Sequence, residues 1–184
     1  MGIKEKFNSI LVSFGLRKRK QKTESEKEIV LNETIQGVFF GAPFGATVDE
    51  VIEGFAKYDL IPDGEMQRER LYFVSKKTDC ICFGGFAFVF VEIRFHNGRF
   101  WQIRFCIPYE NEKEAKRGTA FVVDRISEKY KMCDKKIFDN DTYLSSVYGV
   151  SIDKRRVAVS TMKIDGVYAT SLEYSDISVT NNEL

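Results

Sequence analysis

CICFGGFAFVFVEIRFHNGRFWQIRFCI, residues 80–107, is the stretch on which the fold turns. Two runs rich in aromatic and β-branched residues flank His96-Asn97-Gly98, the composition of a β-hairpin. Its register can be weighed by physics. A two-residue Asn-Gly loop would pair Phe95 with Phe100 and Ile93 with Gln102, scattering apolar residues over both faces. A three-residue loop with Gly98 in the left-handed bulge position pairs Phe95 with Arg99 instead. That register gathers Ala87, Val89, Val91, Ile93 and Phe95 with Trp101, Ile103, Phe105 and Ile107 on one face. The other face holds Glu92, Arg94, Gln102 and Arg104, with Glu92 diagonal to Arg104. A one-residue slip exchanges the two faces, so the apolar pattern selects the bulged loop.

Upstream, residues 70–76 read as a further strand. Before it, Thr47 and Glu50 have the spacing of a capping box, in which each side chain satisfies the other residue's backbone N–H. The helix so opened buries Val48, Val51, Ile52 and Phe55 and ends near Tyr58, where Pro62-Asp63-Gly64 makes a turn. Val38-Phe39-Phe40 is a short strand broken by Gly41, Pro43 and Gly45. Downstream of Pro108, residues 111–130 predict a second helix with Ala115, Val122, Ile126 and Tyr130 inward. A lysine-rich loop, Lys131 to Lys136, leads to strands near 142–150 and 156–164, and Asp165-Gly166 turns the chain into residues 167–175. In that last hairpin Val157 and Val159 face Tyr174 and Leu172.

The fold class is therefore α+β: an antiparallel sheet with two helices packed on one face. The order suggests a tandem α-β-β-β repeat with halves 40–107 and 111–175, although no residue-level similarity joins them. The chain divides into an arm (1–22), a linker (23–36), the α+β domain (37–176) and a polar tail (177–184).

Charge separates the arm from the rest. Residues 1–22 carry seven basic side chains against Glu5 alone, a net of +6, so a chain total of +1 leaves −5 for the body. A mildly acidic body excludes nucleic acid as the domain's natural partner, because phosphate contacts need a basic face. In the arm Ile3, Phe7, Ile10, Leu11 and Phe14 fall on one helical face, and Arg17, Lys18, Arg19 and Lys20 follow at once. Such a segment suits an anionic membrane surface; the same stripe also suits docking on protein. No apolar run is long enough to span a bilayer. Four cysteines without a secretory signal set the expectation of reduced thiols in a cytoplasm, at most peripheral to the inner face of the membrane.

Several motifs resemble a known group. Phe40-Gly41-Ala42-Pro43 stands before the Thr47–Glu50 helix, and Phe83-Gly84-Gly85-Phe86 leads into the hairpin. A helix then ends in Lys129-Tyr130, and the chain closes on Leu172-Glu173-Tyr174-Ser175-Asp176. Over about residues 37–176 the chain resembles uncharacterised bacterial α+β proteins with a fold similar to β-lactamase-inhibitor protein and outer-membrane-assembly lipoproteins. The resemblance implies helices on one face of an antiparallel sheet and binding of other proteins. It implies no catalytic residue.

The chemistry-bearing residues point the same way. His96, the one histidine, stands at a hairpin tip where a solvated turn residue belongs. Cys80 and Cys82 alternate in a strand, as buried small hydrophobes do, and no second closely spaced pair completes a zinc site. Asp139 and Asp141 are followed by no glycine-containing calcium loop, and the glycine clusters match no phosphate-binding motif. The expectation is no catalytic residue, no metal and no cofactor. Phe88, Phe90 and Phe100 beside Glu92, Arg94 and Arg104 on the hairpin's polar face have the composition that protein interfaces favour. The reading is a non-enzymatic interaction module that binds an unknown protein partner through a sheet face or edge. A peripheral membrane protein acting through the arm is the alternative.

Overall fold

The computed structural model describes residues 35–128, 130, 134–137, 146–164 and 166–180. The arm, most of the linker, Cys133, Asp139 and Asp141 lie outside the described residues. In chain order the elements are β1 (Val38–Phe39), β2 (Ala42–Pro43), α1 (Val48–Ala56), β3 (Leu60–Pro62), β4 (Arg70–Ser75), β5 (Ile81–Phe83), β6 (Phe86–Phe88), β7 (Phe90–His96) and β8 (Arg99–Tyr109). They continue with α2 (Glu112–Ser127), β9 (Asp134–Ile137), β10 (Ser146–Ile152), β11 (Arg155–Ile164) and β12 (Val167–Asp176). This is an α+β fold. Eight strands form one antiparallel sheet in the order β3-β4-β7-β8-β12-β11-β10-β9, while β1-β2 and β5-β6 are separate two-stranded hairpins.

The order reads alike from both ends. Each helix is followed by four strands of the large sheet, and the last strand of each set, β8 and β12, meet at its centre. Val91 opposite Phe105 and Leu172 opposite Phe105 run into Val159 opposite Leu172, so one row of apolar side chains crosses the junction. These residues share a core cluster with Val51 and Phe55 of α1 and Val122 and Ile126 of α2. Phe105 sits at its middle, stacked on Phe83 at 4.3 Å and close to Phe88 at 5.0 Å between ring centres. Such ring pairs contribute roughly 0.5–1.5 kcal/mol beyond the area they bury.

Both helices begin as their sequences predict. Glu50 N–H donates to Thr47 Oγ1, and Thr47 N–H donates to the Glu50 carboxylate at 2.7 Å. The carboxylate accepts from Thr47 N–H, and from Thr47 Oγ1 at 3.0 Å, in its charged form, which holds the Glu50 pKa below its usual value. Asn111 caps α2 through Glu114 N–H at 3.0 Å. Three hydroxyls fasten α2 to the sheet: Thr119 to Thr161 at 2.8 Å and to Thr170 at 3.2 Å, with Thr170 Oγ1 donating to the Ala115 carbonyl.

The central hairpin departs from the expected register. Its loop has two residues, His96 pairing with Arg99 and Phe95 with Phe100. Asn97 (φ 48°) and Gly98 (φ 72°) are both left-handed, which gives a turn whose twist matches that of the flanking strands. The extra residue lies inside the ladder instead. The register shifts between Arg94 and Phe95, leaving Trp101 between the partners of Phe95 and Arg94. Beyond the shift Ile93 faces Ile103, and the apolar residues reach one face after all. Phe100 therefore joins the core, Trp101 does not, and Glu92 lies directly opposite Arg104 instead of diagonal to it.

Other expectations are corrected as well. The first long strand is three pieces, because Gly84 and Gly85, both at positive φ, turn β5 back into β6 before β7 starts. The break at Val89 reverses the alternation: Phe88 enters the core and Val89 leaves it. The expected loop from Lys131 to Lys136 gives way at Asp134 to strand β9. Ile35, which falls in the expected linker, is a core residue whose carbonyl accepts from Arg155 Nη1 at 3.2 Å. At the other end Ile177 N–H donates to the Lys154 carbonyl in the turn between β10 and β11.

Candidate interaction surface

Alternation along a strand sends every second side chain away from the core. On β7 those residues are Phe90, Glu92 and Arg94, between the core residues Val91, Ile93 and Phe95. The ladder extends them across the sheet. Tyr72 faces Glu92, Glu92 faces Arg104, and Arg104 faces Glu173. One row further along, Arg70 faces Arg94, Arg94 faces Gln102, and Gln102 faces Ser175.

The result is a lattice of charge spanning both halves. Glu92 accepts from Arg94 Nε at 2.7 Å and Arg104 Nη1 at 2.8 Å, with Arg70 Nε at 3.8 Å. Arg104 reaches across the central junction to Glu173, donating from Nη2 at 2.8 Å and Nε at 3.2 Å. Only 2% of the Glu92 side chain and 3% of the Arg104 side chain are exposed. Burial works to raise the Glu92 pKa, but the charges of Arg104, Arg94 and Arg70 more than offset it and hold the carboxyl below its usual value. Exposure grows outward, to 23% for Arg94 and 47% for Arg70. Beside the lattice Val74, Val89, Phe90 and Cys106 form a second apolar cluster, with Tyr72 packed against it.

Of the six residues expected at this surface, Glu92, Arg94 and Arg104 come together and Phe90 lies beside them. Phe88 and Phe100 do not; both are fully buried in the core, for the reasons of register given above. Arg70, Tyr72 and Glu173 complete the arrangement and were missed. Each stands out of phase with the apolar residues of its own strand, but nothing local says that β8 lies between β7 and β12. Two buried atoms at the same end of the sheet, His96 Nε2 and Gln102 Oε1, have no hydrogen-bond partner among the described residues. His96 is thus not the solvated turn residue expected; it lies on strand β7 and is partly buried.

Chemically, the lattice is a fixed set of mutually neutralising ions with arginine donors at its margin. Among the described residues no three His, Cys, Asp or Glu side chains converge as metal ligands, and no helix is long and apolar enough to cross a membrane. No protein-family model, curated protein or solved structure matches this chain.

Proposed function

We propose that the chain is a non-enzymatic interaction module whose partner is a protein bound on the charged face of the large sheet. One observation carries the reading: at the margin of a buried charge lattice Arg94 is hydrogen-bonded to Glu92 at 2.7 Å, and Arg70, more exposed, lies 3.8 Å from the same carboxylate. Fixing arginine in advance lowers the ordering cost of association, and arginine and tyrosine are the side chains on which binding energy concentrates. Both helices would then close the opposite side of the sheet. The face is preferred to the edges: β3 is three residues long and ends in Pro62, and β9 is four residues long and carries Lys135 and Lys136. Short strands, proline and lysine all disfavour the addition of a further strand.

Arg70→Ala combined with Arg94→Gln tests this: the outer arginine charges go while Arg104 still pairs with Glu92, and an unchanged circular dichroism spectrum shows that the fold survives. Immobilised full-length protein should retain partners that the double variant loses. Retention of the same proteins by both would place the interface elsewhere. A second reading rests on the arm, whose apolar stripe and +6 charge suit an anionic membrane. Under it the arm places the module at the inner face of a bacterial membrane. Flotation with anionic vesicles should carry the full chain and leave behind a version starting at Lys27; equal behaviour removes the membrane.

A further inference from the structure

The rows of the charged face continue into a patch too well buried for an open sheet surface. Along β7 the face runs from Arg94 and Glu92 to Phe90, which lies opposite Cys106; Ser171 lies opposite Cys106 in turn, and Ser160 opposite Ser171. Ser160 and Ser171 bond each other at 2.7 Å and are 2% and 1% exposed, and Cys106 is fully buried. Side chains this short leave room above them, yet solvent does not reach them. The apolar residues gathered there, Val74, Val89, Phe90, Cys106 and Tyr72, all belong to the sheet or to the residue joining β6 to β7. Elsewhere on the same face the charges do not balance. Arg156 ends the row that runs Arg94, Gln102, Ser175, and it is exposed. With Arg70, Arg94 and Arg104 it sets four guanidinium groups against Glu92 and Glu173.

We propose that residues 24–33 of this same chain dock on that face, covering its buried patch and answering its outer arginines. The segment reads Glu24-Ser25-Glu26-Lys27-Glu28-Ile29-Val30-Leu31-Asn32-Glu33, four glutamates against one lysine around a block of three apolar residues. Its net of −3 complements the +2 of the face, whereas the arm carries +6 and has the wrong sign for it. The tether also lies in the right place. Ile35 is held in the core with its carbonyl on Arg155, the chain neighbour of Arg156, so the segment starts from the end of the sheet where the arginine row ends. Ile29 to Leu31 stand four to six residues from Ile35, a reach of up to roughly 13–20 Å, and Ser160 lies about 13 Å along β11 from Arg156. Glu28 reaches up to roughly 23 Å, against about 14 Å for the three strand spacings from Arg156 to Arg94. Ile29, Val30 and Leu31 lie on the buried patch, and the glutamates pair with Arg70, Arg94 and Arg156. The docking stands without a partner; that the segment must leave before another protein binds rests on the function proposed above.

Two measurements on the full chain test the docking. Nuclear Overhauser effects from the Ile29, Val30 and Leu31 methyl groups should reach Val74 and Phe90. Alkylation of Cys106 by iodoacetamide in the folded protein is followed in the tryptic peptide of residues 105–113, with the exposed Cys82 as the fast reference. Glu24→Lys, Glu26→Lys and Glu28→Lys together should speed Cys106 alkylation about ten-fold by releasing its cover. Cys82 labelling and the circular dichroism spectrum should not change. Overhauser effects that reach the patch from the arm or from no part of residues 24–33, or a Cys106 rate that the three substitutions leave unchanged, would overturn the docking. Neither measurement needs a partner, so the docking can fail while the function proposed above stands, and the reverse.

Discussion

Arg104 lies 2.8 Å from both Glu92 and Glu173, and almost none of its side chain meets solvent. Replacing it by methionine keeps the bulk and leaves a buried carboxylate without its main counter-ion. Breaking such a pair costs about 3–5 kcal/mol, and the urea midpoint of Arg104→Met should fall accordingly. A loss below about 1 kcal/mol would mean that the pair behaves as a solvated surface bridge. Acid should act through the same site. The folded-state pKa of Glu92 lies below its value of 4.5 in the unfolded chain, so its contribution is fully present above that pH and is lost as pH falls through the folded value. Stability measured in urea should therefore drop on acidification less steeply in Glu92→Gln than in the wild type, and parallel curves would contradict the assignment. At this scale the sequence is half legible. Glu92, Arg94 and Arg104 betray themselves by falling out of phase with an apolar strand. Arg70 and Glu173 do so too, yet their role depends on which strands become neighbours.

Among the elements, the helices are the most readable because their signals are local. Thr47 and Glu50 announce α1 by spacing alone, and Thr47→Ala should cost about 1 kcal/mol in chemical denaturation by removing the cap. Gly118 in α2 carries a constraint that only packing reveals. A Cβ there would collide with the Tyr109 ring and hydroxyl and come within 2.7 Å of Thr170 Oγ1, which is held by the Ala115 carbonyl. Gly118→Ala gains about 1 kcal/mol of helix propensity but incurs the roughly 1–3 kcal/mol of overpacking, so the thermal midpoint should fall. A rise would show that the helix can back away from the sheet. Strand register was harder to read. Face alternation correctly demanded an irregularity between β7 and β8, but Asn97-Gly98 makes so good a two-residue turn that the extra residue moved to Trp101. Gly84-Gly85 carried a turn signal that the long apolar run around it concealed, and Phe88 changed face as a result.

For the whole molecule, the main structural fact is non-local: the final strands of the two sets pair with each other, and only that pairing brings Arg104 beside Glu173. Composition and periodicity supplied the α+β class and the antiparallel hairpins, whereas the central junction had no local signature. The candidate surface inherits this dependence, since its charge lattice crosses the same seam. Backbone nuclear Overhauser effects between β8 and β12 test the seam most directly. Cross-strand contacts are expected in the register Ile103 with Tyr174, Phe105 with Leu172 and Ile107 with Thr170. A register displaced by one residue would send Arg104 and Glu173 to opposite faces; that result, or contacts joining β8 to a different strand, would contradict this pairing.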